Sequence, residues 1–498
     1  MSIYTQTSKG TGHGEQASLW DPQRWGLPMK AIKGLEQDLT DFWFRYRACF
    51  KTRTRGQSQH AYHYLSGVLR MEAQRNFAQI ARKTEVPQQN MHHFMSNSPW
   101  SAQAVFRQIH ADIAGYPQLR EGGVLILDES ADEKSGEHSA GTARQYNGRL
   151  GKVDISQVGV FLAYVNFAHG VWTWIAGELF LPEAWFAPEQ AALRQRLGIP
   201  QERTFATKVK LGWQMIQQIL AQGVLPFEAV ACDTLYGQSG WFWDQLRQAG
   251  VVYIAEVPRD TQVYLSLPTL AVPPRRGNRG RHPIRPQVVS GTPAVAVHSL
   301  SSQKETRWQR VRVRSTERGV LEDEFAARRV WTVHEGEVAE EWLVMRKESN
   351  GRMTYALSNA PADTPLERLA YLKSQRYFCE RAHQEAKSEV GWDELQAQKY
   401  TAWMHHLAMT ILATWFIAET KLRWVQRYSR DPRLAAQFEV EVLPALSVAN
   451  VRTLLKAVMP LPKLSPEEAQ AHVIELLVRR TRSRKSRLKA QHHSHSPP

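Results

Sequence analysis

Two aspartates and one glutamate stand out for what surrounds them. Asp128 closes the apolar run in "GVLILDES", and Asp233 closes the one in "FEAVACDTLYG". Each reads as a strand with an acid at its carboxyl end, where open α/β sheets place their functional crevice. Either aspartate alone is explained as a helix cap or a turn residue. Brought together they repel, and a cation relieves that cost. Oxygen-only ligands, with no Cys or His among them, point to Mg²⁺ or Mn²⁺ rather than zinc.

The third acid lies in "RYFCERAHQEAKSEVGWD", residues 376–393. At about 100° per residue, Arg376, Glu380 and Lys387 fall within roughly 40° of one another on a helix. His383 lies on the same side, and Glu385 about opposite Arg376. An Arg–Glu pair four apart is commonly a surface contact. Phe378, Cys379 and Ala386 flank this face, and the apolar "AMTILATWFIA" follows, so the helix is expected to be packed and Glu380 with it. Asp128, Asp233 and Glu380 then form the set needed for two-ion phosphoryl transfer, one ion activating the attacking oxygen and the other stabilising the leaving one. Arg376 as a fork and Lys387 as a point charge would hold DNA phosphates.

The elements that would position these residues follow a recognisable order. "GVLILD" and a polar loop are followed by two long strands, "QVGVFLAYVNF" and "GVWTWIAGELFLP". Helix "KVKLGWQMIQQILAQG" stops at Gly223, strand "FEAVACD" follows, then helix "GWFWDQLRQAG" and strand "VVYIAEVP". Three meandering strands and then alternating α and β predict a ribonuclease-H-like mixed α/β sheet. Next come a loop, "PPRRGNRGRHPIRP", and four strand-like segments carrying Trp308, Trp331 and Trp342 among basic residues. The expected layout is a helical N-terminal DNA-binding domain (1–118), a first part of the core (119–262), a β-rich insertion (263–364), a second part of the core (365–430), and a helical C-terminal segment with a basic tail (431–498).

The 498 residues carry 63 Lys+Arg against 48 Asp+Glu, a net charge of +15, which suits a polyanionic partner, double-stranded DNA before membrane. Three scattered cysteines argue against a zinc or disulfide framework and fit a reducing cytoplasm. The opening "MSIYTQTSKGTGHGEQ" lacks the apolar core of a signal peptide, and no apolar run reaches the roughly 20 residues of a spanning helix. Two short helices around Val86-Pro87, with Met91, Phe94 and Met95 on one side, read as an αα-hairpin or a DNA-binding helix-turn-helix presenting Arg75, Arg82 and Lys83. Lys134, Arg144 and Lys152, in the loop after Asp128, and Arg275 and Arg276, in the Pro/Gly/Arg loop, are further candidate DNA contacts.

The blocks "LILDESADEKSGEHSAGTARQYNGRLGKVDISQVGVF", "ACDTLYGQ" and "YALSNAPADTPLERLAYLKSQRYFCERAHQEAKSEVGWDELQAQKYTAWMHHLAM" closely resemble those of the DDE transposases of bacterial insertion sequences, in particular the IS701-like family related to the IS4 group. The resemblance covers most of residues 40–420, in the expected order. It implies Asp128, Asp233 and Glu380 as catalytic triad, probed by the family signature of Tyr, two residues, Arg, three residues, Glu, six residues, Lys. Arg376, Glu380 and Lys387 fit that spacing, while Lys373 stands where the signature has Tyr; a second basic phosphate contact is one reading of it. An aromatic residue in the insertion stacks on a flipped base in related enzymes, which makes Trp308, Trp331 and Trp342 candidates beside a role in packing. The implied function is metal-dependent strand cleavage at inverted-repeat ends and transfer into target DNA, by a homodimer on DNA. A catalytically silent DNA-binding regulator and a stand-alone nuclease are the competing expectations.

Overall fold

A computed structural model of the protein describes residues 18–53, 56–273, 284–289, 293–316, 319–438 and 446–462, with a few positions beyond. Arg275, Arg276 and the basic tail lie outside the described residues.

Strand β1 (Val124–Glu133) organises the sheet. Its first four residues are buried, as in a strand covered on both faces. They pair in parallel with β5 (Ala229–Cys232), the last rung being Leu127↔Cys232. Between them in sequence come β2 (Ala143–Asn147), β3 (Lys152–Asn166) and β4 (Val171–Leu179). β1 pairs antiparallel with β3 along its whole length, and β3 carries both β2 and β4. β6 (Val252–Val257) adds in parallel to β5. The result is the mixed α/β sheet expected from the sequence.

Two details depart from that expectation. β1 does not end at Asp128; pairing with β3 carries it on to Glu133↔Ser156, and it is the parallel neighbour β5 that stops. Asp128 and Asp233 are thus each the first residue past the last parallel rung. The β-rich stretch is not set apart from the sheet either. Strands β7 (Gln309–Thr316), β8 (Gly319–His334), β9 (Glu337–Lys347) and β10 (Met353–Ser358) form an antiparallel meander, and β10 pairs with β6 from Tyr355↔Val257 to Ser358↔Ile254. Ten strands therefore make one sheet.

The N-terminal helices α1 (Leu35–Tyr46), α2 (Ser58–Arg70), α3 (Phe77–Lys83), α4 (Gln88–Ser96) and α5 (Ala102–Gly115) precede the sheet. α3 and α4 form the expected hairpin, broken at Glu85 in a left-handed conformation, with Met91, Phe94 and Met95 buried together. Helix α6 (Lys208–Gln222) starts at the Thr207 cap and ends at Gly223, φ +61°, the left-handed stop that glycine adopts without strain. Helix α7 (Gly240–Gln248) links β5 to β6. Helices α8 (Leu366–Ser374) and α9 (Tyr377–Ser388) follow the last strand. Helix α10 (Tyr400–Arg427) contains the "AMTILATWFIA" run and is buried through most of its length between β4 and the N-terminal helices, with α11 (Val448–Val458) on its flank. Among the described residues no helix is long and apolar enough to cross a membrane.

Candidate active site

Past the Leu127↔Cys232 rung no parallel neighbour separates the two chains, and three carboxylates meet there. Oxygens of Asp128, Glu129 and Asp233 lie within 4.8 Å of one another. Asp233 caps the following helical turn by accepting from the Leu235 N–H at 3.0 Å, which fixes its direction. Gly237 closes that turn against β6, where a Cβ would overlap the Glu256 carbonyl oxygen, so only glycine lets the Asp233 turn sit this close. Glu129 and Leu127 share the face of β1 opposite to Asp128. On that side Lys208 of α6 donates to Glu129 Oε1 at 3.1 Å, and the buried Tyr236 hydroxyl faces the same carboxylate.

The electrostatics are those of an under-neutralised cluster. Burial first, and then Asp233, push the Asp128 carboxyl up to about 8. Burial and Glu129 push Asp233 to about 6. A group of converging hard oxygen donors that holds protons near neutrality fits a divalent cation of the hard, oxygen-seeking kind.

Arg376, at the start of α9, spans the neighbouring acids. Its guanidinium lies 3.3 Å from Glu256, 2.9 Å from Glu380 and 4.0 Å from Asp128. Glu256 is the last acid of β6 and also receives Lys373 at 3.1 Å. Burial alone would raise the Glu256 carboxyl, but Lys373 and Arg376 outweigh it and hold it below the ordinary range. His383, one turn beyond Cys379, sits 3.8 Å from Asp128, its ring edge-on to Phe161 and Trp174 and kept neutral by burial and by Lys387. Lys387 reaches the Ala131 carbonyl at 3.4 Å. α9 therefore runs along β1, as its charge spacing suggested.

Several expected site residues stand differently. Glu380 is on the right helix and face, but its side chain is 56% exposed and held by Arg376; it is not packed, and it is not one of the three oxygens that converge. Lys373 is buried against Glu256 and has no face for a phosphate, which corrects its reading as a DNA contact. Arg75 is corrected likewise: it lies in the loop before α3, buried, paired with Glu394 and donating to the carbonyls of Glu72, Ser388 and Glu389. Lys134 is paired with Asp132 and points toward the Leu395 carbonyl. Arg82 and Lys83 are half-buried on α3, bonded to Gln79 and to the Pro462 carbonyl. Trp308 is half-buried with its indole N–H on the Ser301 carbonyl. Arg144 and Lys152 are exposed on the β2–β3 hairpin, Lys152 with Asp154 at 2.8 Å. His405 and His406 hydrogen-bond to carbonyls inside the core, as packing residues do.

Glu129, Glu256 and Lys208 complete the site and were not singled out from the sequence, which placed His383 on the right helix face but gave it no role. Glu256 carried the same signal as the two aspartates, an acid near the end of an apolar strand. Glu129 did not, because strand alternation aims it away from Asp128 and only the early stop of β5 lets it reach round.

A family model described as DDE superfamily endonuclease matches residues 45–320. The matched stretch contains Asp128, Glu129 and Asp233 and ends before Glu380. The chain is also 30% identical over 153 residues to a "Probable transposase for insertion sequence element IS701" from Microchaete diplosiphon, a match covering 31% of this chain and 36% of that protein.

Proposed function

Because the chain belongs to the DDE superfamily endonucleases, we propose that it is a transposase that cleaves DNA at the inverted-repeat ends of an insertion sequence and joins them to a target duplex. The observation that carries this reading is the convergence of Asp128, Glu129 and Asp233 at the end of the β1–β5 parallel ladder, inside the matched region. The order β4-β3-β1-β5-β6, antiparallel then parallel, supports a ribonuclease-H-like core.

Asp128 and Asp233 would hold Mg²⁺ or Mn²⁺, with Glu380 as the third carboxylate and two ions as the full complement. Such ions, when bound, activate the attacking oxygen and stabilise the leaving one. Arg376 occupies the pivotal position, since it restrains Glu380 while lying beside Asp128. A DNA phosphate offers the same guanidinium a bidentate partner. Phosphate binding at Arg376 would release Glu380 to turn toward the aspartates, assembling the triad only when substrate is present.

A contact surface for DNA at the tip of the β2–β3 hairpin is supported by strand register. Asp128 is opposite Phe161, and every second residue back along β3 to Val153 shares its face. Tyr146 and Arg144 join that face through the pairs Tyr146↔Val153 and Arg144↔Ile155. Phe161, Gly159 and Gln157 on that face are buried, so only its outer end, where Val153, Tyr146 and Arg144 are exposed, is open to a duplex. Holding two ends for joining calls for a homodimer on DNA.

The test uses the full chain and duplexes carrying the element's ends. Wild type should cleave in Mg²⁺ and Asp233→Asn should not, and a target duplex should yield joined product. Cleavage without joining would mean a nuclease; binding without cleavage would mean a regulator, and either would overturn the proposal.

A further inference from the structure

A second constellation shares Asp128 but differs in chemistry. Cys379 and His383 are four residues apart on α9, so both project from one face, toward β1. Cys379 is fully buried, and its Sγ lies 3.6 Å from His383 Nε2. The same nitrogen is 3.8 Å from Asp128 Oδ2, and ligand atoms of all three residues fall within 4.8 Å of one another. Phe161 and Trp174 lie edge-on to the imidazole at 5.4 and 5.2 Å and hold it in place. We propose that Cys379, His383 and Asp128 form a binding site for a borderline-soft divalent cation of the zinc class, and that filling it withdraws Asp128 from the Asp233 centre.

Geometry and donor type both favour that class. Tetrahedral zinc with sulfur at about 2.3 Å and nitrogen at about 2.05 Å sets those two atoms roughly 3.6 Å apart. A thiol–imidazole hydrogen bond explains that separation equally well, but it does not bring a carboxylate to the third corner. Mg²⁺ has little use for sulfur or imidazole nitrogen, so the two constellations select different ions although they share an aspartate. On binding, the Cys379 S–H bond gives way to a sulfur–metal bond and the proton leaves to solvent.

His383 Nδ1 has no acceptor among the described residues. Zinc-ligating histidines ordinarily anchor that N–H, and its loss costs about 10- to 100-fold in affinity. Three protein ligands with one weakly supported imidazole make a site that loads and unloads, suited to regulation. The regulatory half of the proposal rests on the transposase reading; the binding half does not.

Co²⁺ titrated into the full chain tests binding directly. Wild type should give a thiolate-to-cobalt charge-transfer band and visible bands of tetrahedral intensity, displaced by Zn²⁺. Cys379→Ser should abolish the charge-transfer band, and His383→Gln should weaken binding at least tenfold, with metal-free circular dichroism and Tm confirming that both variants fold. No band in wild type, or an unchanged band in Cys379→Ser, overturns the site. With Mg²⁺ held constant, micromolar Zn²⁺ should suppress DNA cleavage by wild type at least tenfold and leave Cys379→Ser active; equal inhibition of the two overturns the competition. If no Mg²⁺-dependent cleavage exists at all, the transposase reading falls while the Co²⁺ titration still decides the site.

Discussion

Where the N-terminal helices meet α9, Arg75 and Arg452 are buried against Glu394 and Glu389, at 3.0 and 2.9 Å, and their remaining N–H groups donate to the backbone carbonyls of Leu69, Met71, Glu72, Ser388 and Glu389. At the carboxyl end of β1 and β5 the balance is reversed. Among the described residues, five carboxylates, those of Asp128, Glu129, Asp233, Glu256 and Glu380, share three cations, Lys208, Lys373 and Arg376. Matched buried charge holds the fold together, since every group desolvated is also paired. Unmatched buried charge is a standing cost, and a cluster retained at such cost is where a cation or a phosphate is expected to act.

The comparison makes its sharpest prediction for the unmatched cluster. Asp128→Asn or Asp233→Asn should lower Mg²⁺-dependent strand cleavage by on the order of 10³-fold or more, while the metal-free Tm stays level or rises, because a repulsion has been removed. A large fall in Tm would place these acids with the structural cluster instead. The converse holds for Arg75→Met. Leaving Glu394 and several carbonyls unpaired should cost about 3–5 kcal/mol in urea unfolding, with cleavage per folded molecule within about twofold of wild type.

A smaller effect follows from pH. The folded state holds the Asp128 proton up to about 8 and the Asp233 proton up to about 6, whereas an unfolded aspartate releases it near 3.8. Between these values the folded chain binds more protons than the unfolded one, so this cluster's contribution to stability falls as pH rises from about 4 to about 8. Calorimetry without metal should show that decline, and saturating Mg²⁺ or the double variant Asp128→Asn/Asp233→Asn should flatten it. An equal slope in wild type and double variant would assign it elsewhere. The smallest effect is expected from the hairpin: Arg144→Ala should weaken DNA binding a few-fold and lower the salt-dependence slope by about one, while Lys152→Ala, on the opposite face, should change it less. An unchanged slope in Arg144→Ala would remove the hairpin from the DNA contact surface.

How far the sequence disclosed this arrangement differs by element. Asp128 and Asp233 were legible because an apolar run ending in an acid marks the level where a buried parallel ladder stops. The helical spacing of Arg376, Glu380 and Lys387 gave the face of α9 correctly, but a wheel cannot say how far a side chain extends past the helix end, and Glu380 proved exposed. Basic residues were the least legible. Arg75 finds Glu394 and Lys373 finds Glu256 across long sequence separations, so their charges are consumed by partners that local sequence does not reveal. The β-rich stretch was read as strands, while its attachment to β6 depends on edge pairing that no period in the sequence encodes.

The most direct test of the under-neutralised cluster is to count the ions it takes up. Electron paramagnetic resonance of Mn²⁺ titrated into the DNA-bound full chain should show tight binding by wild type that disappears in Asp128→Asn/Asp233→Asn. Identical Mn²⁺ uptake by the two proteins would contradict the account.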